Sequence, residues 1–309
     1  MSKKIGLVGC GRWGKFILRD LKSLNCEVEV FARGEQSIAN ATAHGADKIL
    51  ADIGDFSSNL DGFVVASPTV THVDCIKQLL PHGRPIFVEK PISDSPAEAR
   101  SLPKVANELV FTMHKWRYHP AIEEMRRIAE NQEFGRVIGL RTKRNQWGNP
   151  HKDTNAIWIL APHDLSIATH ILGEVPTAVK SIAEDFGNGY AGISAQLIAP
   201  KSKIPVNIEV SELAFENKRE TVLCCENAAV FLSDKDYGCL TIKPWPESFN
   251  DQRIIERRHV AETMPLLAEL DSFVKYLSGD PPPFTCLKDE LDIIQAVADI
   301  QQMAGFEVR

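Results

Sequence analysis

The sequence predicts an α/β protein: an N-terminal, doubly wound, parallel Rossmann sheet, then a C-terminal α+β domain with a large open, mainly antiparallel sheet. Three observations predict it. Short uninterrupted apolar runs alternate with amphipathic stretches over the first third of the chain, the pattern of a parallel sheet covered on both faces. A glycine-rich turn, Gly9-Cys10-Gly11-Arg12-Trp13-Gly14, lies directly between the first apolar run and the helical stretch after it. Beyond residue 118 strand-like runs succeed one another across short turns, as in antiparallel sheets.

Taken in order, Ile5–Val8, Val28–Phe31, Gly62–Ala66, Ile86–Val88 and Leu109–Phe111 are expected strands. The intervening helices are expected at Phe16–Leu24, near Gln36–His44 and at Val70–Leu80, while Ser95–Asn107 separates the last two strands. Pro120–Asn131 follows as a helix and Val137–Gln146 as a longer strand, with a second helix starting near Pro162. Six strands are then expected at Thr177–Phe186, Tyr190–Ile198, Pro205–Leu213, Glu220–Cys225, Ala228–Leu232 and Cys239–Ile242. Helices at Glu262–Leu277 and Leu287–Met303 close the chain, separated by Gly279-Asp280-Pro281-Pro282-Pro283, where three prolines bar helix. The expected domains are residues 1–117 for the dinucleotide and 118–309 for substrate and oligomer contacts.

The hydrophobic fraction of 44% and charged fraction of 25% belong to an ordinary globular protein. A net charge of −6 without a basic cluster argues against nucleic acid as a partner. No apolar run is long enough to span a membrane. Met1-Ser2-Lys3-Lys4 leads into too short an apolar stretch for a signal peptide. Seven irregularly spaced cysteines argue for a reducing, cytoplasmic setting. Without C-x-x-C or H-E-x-x-H spacing, no metal site is expected.

The glycines carry chemistry. Gly9 makes the tight turn, Gly11 lets backbone approach a pyrophosphate, and Gly14 lets helix and strand pack closely. The helix N-terminus offers free N–H groups and a positive dipole to the phosphates. Arg12 and Trp13 lie within this loop and are expected at the cofactor. At the end of the second strand an acidic residue would hold the ribose of NAD. Here Ala32 occupies that place and Arg33 follows, an arrangement suited to a 2′-phosphate. NADP is therefore expected, with NAD the alternative. Glu27 and Glu29 lie inside the strand, misplaced for the ribose.

Two further segments end strands at the edge where open α/β sheets bind ligands. Ser67-Pro68-Thr69, continuing to His72, leaves room for the cofactor, and Thr71 with Asp74 reads as a helix-capping pair. Glu89-Lys90-Pro91 projects a lysine from a strand end. Burial or a nearby positive charge would lower its pKa. Lys90 could then hold a substrate hydroxyl or relay its proton. The plainer alternative is an exposed Glu89–Lys90 ion pair.

With these motifs in this order, the chain resembles the glucose–fructose oxidoreductase / inositol dehydrogenase / rhizopine catabolism family. The likeness extends through Trp116-Arg117-Tyr118-His119-Pro120, similar to the family's interdomain junction, and through Asp153 to Ser166 with its Ala161-Pro162-His163-Asp164 core. It implies hydride transfer between a nicotinamide and a sugar, polyol or sugar-nucleotide hydroxyl or ketone. It also implies Lys90 at the nicotinamide, a cis bond before Pro91, and Arg117 on the cofactor side. The C-terminal sheet would be an oligomer interface, giving a homodimer or homotetramer, and His163 would be the acid/base. Independently, Pro162 suits a first helical position, which would place His163 at a helix N-terminus whose dipole favours neutral imidazole. Asp164 is the alternative acid.

One departure stands out. Where the family usually carries an aspartate, four residues before the histidine, this chain has Ile159. Asp153 could compensate. The rival to an enzyme is therefore a cofactor-binding sensor or regulator that kept the fold and lost the chemistry. Trp147, Asn155 and Trp158 are candidate substrate contacts, with core packing the alternative for both tryptophans. His151-Lys152 could meet a substrate phosphate, Cys224-Cys225 is read as packing, and Asp251 to Arg258 as a solvated face or loop.

Overall fold

The structure, a computed structural model, describes residues 2–148, 155–185, 191–235, 237–248 and 251–306. It divides into two compact units, residues 1–115 with 264–291, and residues 116–263 with 292–309. His151, Lys152, Asp153 and the turn at 187–189 lie outside the described residues.

In the first unit β1 (Lys4–Val8), α1 (Gly14–Ser23), β2 (Glu27–Phe31), α2 (Glu35–Ala43) and β3 (Lys48–Leu50) lead to β4 (Gly62–Val65) and α3 (His72–Leu79). Then come β5 (Ile86–Glu89), the short α4 (Pro96–Arg100) and α5 (Ala106–Leu109), and β6 (Val110–Met113). The six strands are parallel in the order β3-β2-β1-β4-β5-β6. The central strands are buried almost throughout, which is why they read as continuous apolar runs. β3 gave no comparable run; it has three residues and only Leu50 is buried.

In the second unit α6 (Pro120–Asn131), β7 (Val137–Trp147) and α7 (Ala156–Leu172) precede β8 (Thr177–Asp185), β9 (Ala191–Ile198), β10 (Pro205–Ser211) and β11 (Leu213–Cys225). The strands end with β12 (Ala228–Ser233), β13 (Cys239–Pro244) and β14 (Glu256–His259). Eight strands form one sheet, β14-β13-β12-β11-β7-β10-β9-β8, antiparallel except between β7 and β10. Strand periodicity divides its faces. Leu140, Thr142 and Arg144 of β7 are buried, while Arg141 is exposed and Lys143 half-buried. The outward set, with Lys180, Gln196, Asn207, Glu209 and Trp245, lines a broad depression of about 560 Å³. α8 (Pro265–Tyr276) and α9 (Leu287–Met303) complete the chain.

Two expectations are corrected, and the stretch Asp251 to Arg258, expected as a solvated face or loop, runs into an exposed edge strand. The first unit regains residues 264–291, because α8 inserts Leu266, Leu270 and Phe273 into its core, where Phe273 stacks on Phe87 at 4.9 Å. Arg257 and Arg258 lie in β14, which pairs with β13, and Arg258 reaches Glu124 and Glu133 at 2.7 and 2.6 Å. α7 starts six residues before Pro162, with Asn155 accepting the Trp158 N–H at 3.2 Å.

His119 caps α6 by accepting the Ala121 N–H at its Nδ1, and burial pushes its imidazole down to about 4. A histidine depressed on folding contributes stability that is present above its unfolded pKa and lost as pH falls towards the folded value. Between pH 7 and 4.5 the protein should therefore lose about 2–3 kcal/mol through this ring. His119→Asn keeps a capping oxygen and should remove most of that loss, measured by urea midpoints at both pH values. An unchanged acid limb in the variant would refute this role.

Candidate functional site

Strand order in the first unit reverses between β1 and β4, and such a switch point is where open α/β sheets take ligands. The loops after β1 and β4 meet there. Gly9 holds φ +92°, and a side chain on it would strike Ala66 O and Ser67 N at 2.9 Å. A Cβ on Gly14 would lie 2.3 Å from Gly9 O. At Gly11 a Cβ would meet nothing within 4 Å. The first and third glycines are thus required by the chain's own packing. The second opens on free space beside the start of α1, so the loop fits a dinucleotide's pyrophosphate.

Sequence reasoning missed what holds this loop. Ser37 Oγ accepts the Cys10 N–H at 3.2 Å and Asn40 Nδ2 donates to Cys10 O at 2.9 Å, both from α2. Their spacing of three, on one helix face, was the available signal. Arg12 is exposed. The Trp13 indole N–H donates to Glu89 Oε1, and Lys115 Nζ stands 4.4 Å from its ring centroid. Arg33 is exposed, its guanidinium 5.1 Å from the Phe31 ring. Glu29 is occupied elsewhere, accepting the Ser57 N–H at 3.0 Å.

After β4, Ser67 and Thr69 are half-buried and Pro68 exposed. Thr71 does not cap α3 as expected. Its hydroxyl turns back to Ser67 Oγ and Pro68 O, both at 2.7 Å. His72 is only 1% exposed, its Nε2 2.8 Å from Ser67 O and its Nδ1 2.9 Å from Pro91 O. It therefore ties the loop after β4 to the loop after β5 from inside the fold, a packing position rather than an open cofactor contact.

Glu89 and Lys90 lie at the carboxyl end of β5, both half-buried, and the Lys90–Pro91 bond is cis. The Glu89 carboxyl accepts the Lys90 N–H at 3.2 Å as well as the Trp13 indole. Burial pushes this carboxyl up, against the pull of Lys90 and Lys115. Glu269, on α8, is buried and pushed up strongly by burial and by Glu89. These groups join the glycine-rich loop to the lysine-bearing strand end.

In the second unit nearly all of α7 is buried, and His163 is half-buried. Because α7 begins at Ala156, His163 lies mid-helix and the helix-dipole argument for its pKa falls. Pro162 inside the helix leaves the Trp158 carbonyl without the intrahelical bond it would otherwise receive. Ile159, one turn before His163, is 8% exposed, so an apolar side chain fills the place where the resemblance expected a carboxylate. Asp164 is not available as an acid. Arg144 holds it bidentately, Nε to Oδ2 at 2.9 Å and Nη2 to Oδ1 at 3.3 Å, with both side chains buried. Burial pushes the Asp164 carboxyl up and Arg144 opposes this. The guanidinium also lies 4.9 Å from the Trp116 ring.

Arg117, expected at the cofactor, is 3% exposed and donates from Nε to Ser166 Oγ at 2.8 Å within the second unit. Asn155 is the α7 cap rather than a free substrate ligand. Trp158 is buried, whereas Trp147 is 70% exposed, its ring 6.3 Å from that of Phe215. All seven cysteines are free, and burial pushes the Cys10, Cys26 and Cys225 thiols up to about 11. Among the described residues no helix is long and apolar enough to cross a membrane.

A parallel sheet of this order, a glycine cradle at its switch point and a lysine at the end of β5 define a dinucleotide-binding Rossmann unit. Residues 3–113 match the model of the Gfo/Idh/MocA oxidoreductase family, described as having an NAD-binding Rossmann fold. It is 26% identical to inositol 2-dehydrogenase of Rhizobium meliloti, across 59% of this chain and 59% of that enzyme. It is 25% identical to UDP-N-acetylglucosamine 3-dehydrogenase of Acidithiobacillus ferrooxidans, across 91% of this chain and 90% of that enzyme. A solved structure of the latter superposes with a TM-score of 0.85 at 20% identity, covering 99% of both chains. Levoglucosan dehydrogenase in complex with NADH superposes at 0.85 with 14% identity, covering 99% of this chain and 97% of that one. These superpositions establish the fold of the whole chain.

Proposed function

We propose that the protein is a nicotinamide-dependent dehydrogenase or reductase acting on a hydroxyl or ketone of a sugar, polyol or sugar nucleotide. The observation that carries this is Lys90, half-buried at the carboxyl end of β5 and joined through Glu89 and Trp13 to the glycine-rich loop. Named relatives acting on inositol and on UDP-N-acetylglucosamine support the substrate class.

Backbone N–H groups at Gly11 to Gly14 would hold the pyrophosphate, with the loop Ser67-Pro68-Thr69 beside them. When bound, the nicotinamide supplies or accepts the hydride. The Lys90 ammonium donates a hydrogen bond to the reacting substrate oxygen, favouring the partial negative charge that develops there. His163 takes the carbinol proton in oxidation and returns it in reduction. Lys90 and His163 carry this work without a carboxylate at position 159. Arg33 pairs with a 2′-phosphate, so NADP is the preferred coenzyme. The free cysteines suit a cytoplasmic setting, and the outer face of the eight-stranded sheet, where Ile182 and Trp245 are exposed beside charged side chains, suits a homodimer or homotetramer. A sensor that keeps the fold without turnover is the second reading, favoured by Ile159 alone.

The test is reduced-nicotinamide absorbance with NADP and NAD, in both directions, over sugars, polyols, their ketones and nucleotide sugars. Turnover is the expected result. Coenzyme binding without turnover across the whole panel would favour the sensor. Arg33→Ala should weaken NADP at least tenfold while leaving NAD within about twofold, since one charged pair to phosphate is lost. Equal loss for both coenzymes would reject the phosphate assignment.

A further inference from the structure

The backbone around Lys90 is gripped by side chains from three elements. Glu89 of β5 accepts the Lys90 N–H at 3.2 Å. His72 of α3 has Nδ1 2.9 Å from Pro91 O. Glu290, in the first turn of α9, accepts the Ile92 N–H at Oε1, 3.2 Å away, across 198 residues of sequence. Its other oxygen, Oε2, lies 2.7 Å from Nε2 of His114, just past the end of β6, and both side chains are fully enclosed. A carboxylate removed from water costs several kcal/mol unless donors replace its hydration. Here each oxygen has one, and one of the two is the backbone two residues beyond Lys90.

We propose that Glu290, backed by His114, is a positioning residue for Lys90: it fixes the Pro91–Ile92 backbone and thereby the direction in which the lysine leaves β5. The role in turnover rests on Lys90 holding the reacting oxygen. A lysine side chain has four rotatable carbons, so its ammonium is placed only as well as its Cα–Cβ bond is. Displacement by about 1 Å can cost on the order of 100-fold in rate. Glu290 acts through the backbone and never touches substrate.

The contrast between Glu290→Met and Glu290→Gln tests this. Methionine fills the space and removes both acceptors. Glutamine can accept from Ile92 and donate to His114 Nε2 once that ring carries its proton on Nδ1. The primary readout is labelling of Lys90 by an amine-acylating reagent, relative to exposed Lys104, followed by mass spectrometry from pH 6 to 10. Coenzyme affinity by fluorescence and turnover are measured beside it. Glu290→Met should change the Lys90/Lys104 labelling ratio at least threefold and lower kcat at least tenfold, with coenzyme affinity within twofold. Glu290→Gln should return both towards wild type.

A folded Glu290→Met protein with the wild-type labelling ratio overturns the proposal, as does a glutamine variant as impaired as methionine. Should methionine prevent folding, Glu290→Asp, one methylene shorter, takes its place under the same criterion. Labelling needs no turnover. A wild-type protein that transfers no hydride rejects the functional reading while the labelling ratio still judges the clamp.

Discussion

Replacing Lys90 by alanine is expected to lower kcat about 1000-fold or more while coenzyme affinity stays within threefold. The size follows from the role. Removing a single donor aimed at developing charge on a reacting oxygen costs about 10²–10³ in rate, and losing a proton-transfer partner costs about 10²–10⁴. Coenzyme binding should survive because the pyrophosphate cradle is built from Gly9, Gly11 and Gly14, whose geometry depends on Ala66, Ser67 and α2. Lys90→Arg should not restore the rate, since a planar guanidinium cannot replace a compact ammonium on a shorter reach. Single-turnover hydride transfer at saturating coenzyme is the measurement. A variant within tenfold of wild type would remove Lys90 from the reaction, and with it the observation on which the dehydrogenase reading stands.

The largest loss of stability is expected at the Arg144–Asp164 pair. Both side chains are buried, the contact is bidentate, and Trp116 covers the guanidinium. Removing one partner strands the other charge away from water, which costs about 3–5 kcal/mol. Asp164→Ala should therefore shift the urea midpoint to much lower denaturant without changing the slope. Replacing both, as Arg144→Met with Asp164→Leu, should recover a large part of that loss, because no charge then remains buried. An Asp164→Ala protein that loses less than about 1 kcal/mol would mean that water reaches the pair and screens it. The same experiment separates Asp164 from the chemistry. Its carboxylate is occupied by Arg144, so any fall in activity should follow the fall in folded fraction.

The first unit was largely legible because its signals are local. Strands buried on both faces need apolar side chains at every position, so β1, β4 and β5 stand out without reference to the rest of the chain. The glycine pattern is equally local: a positive φ at Gly9 and the close approach of Gly14 admit no side chain. β3 and β14 were not legible. The first is three residues long, and the second carries charges on an edge strand that needs no apolar face.

The start of α7 shows how a local rule loses. Proline favours a first helical turn, yet here it lies inside a helix begun by Asn155. Burial of Ala156 to Ala161 outweighs the one backbone bond that Pro162 cannot make. His163 consequently sits mid-helix, and its expected dipole effect disappears.

By itself, the sequence determined a parallel dinucleotide-binding sheet, the glycine loop at its first turn, and a lysine at the end of the strand that begins at Ile86. Each depends on residues within a few positions of one another. Only the tertiary structure decided that Asp164 belongs to Arg144, that Arg117 belongs to Ser166, and that α8 completes the first unit's core. Only it placed Glu290 against Ile92. A buried polar group is stabilised by whichever donor the fold brings within 3 Å or so, and no periodicity along the chain encodes that partner.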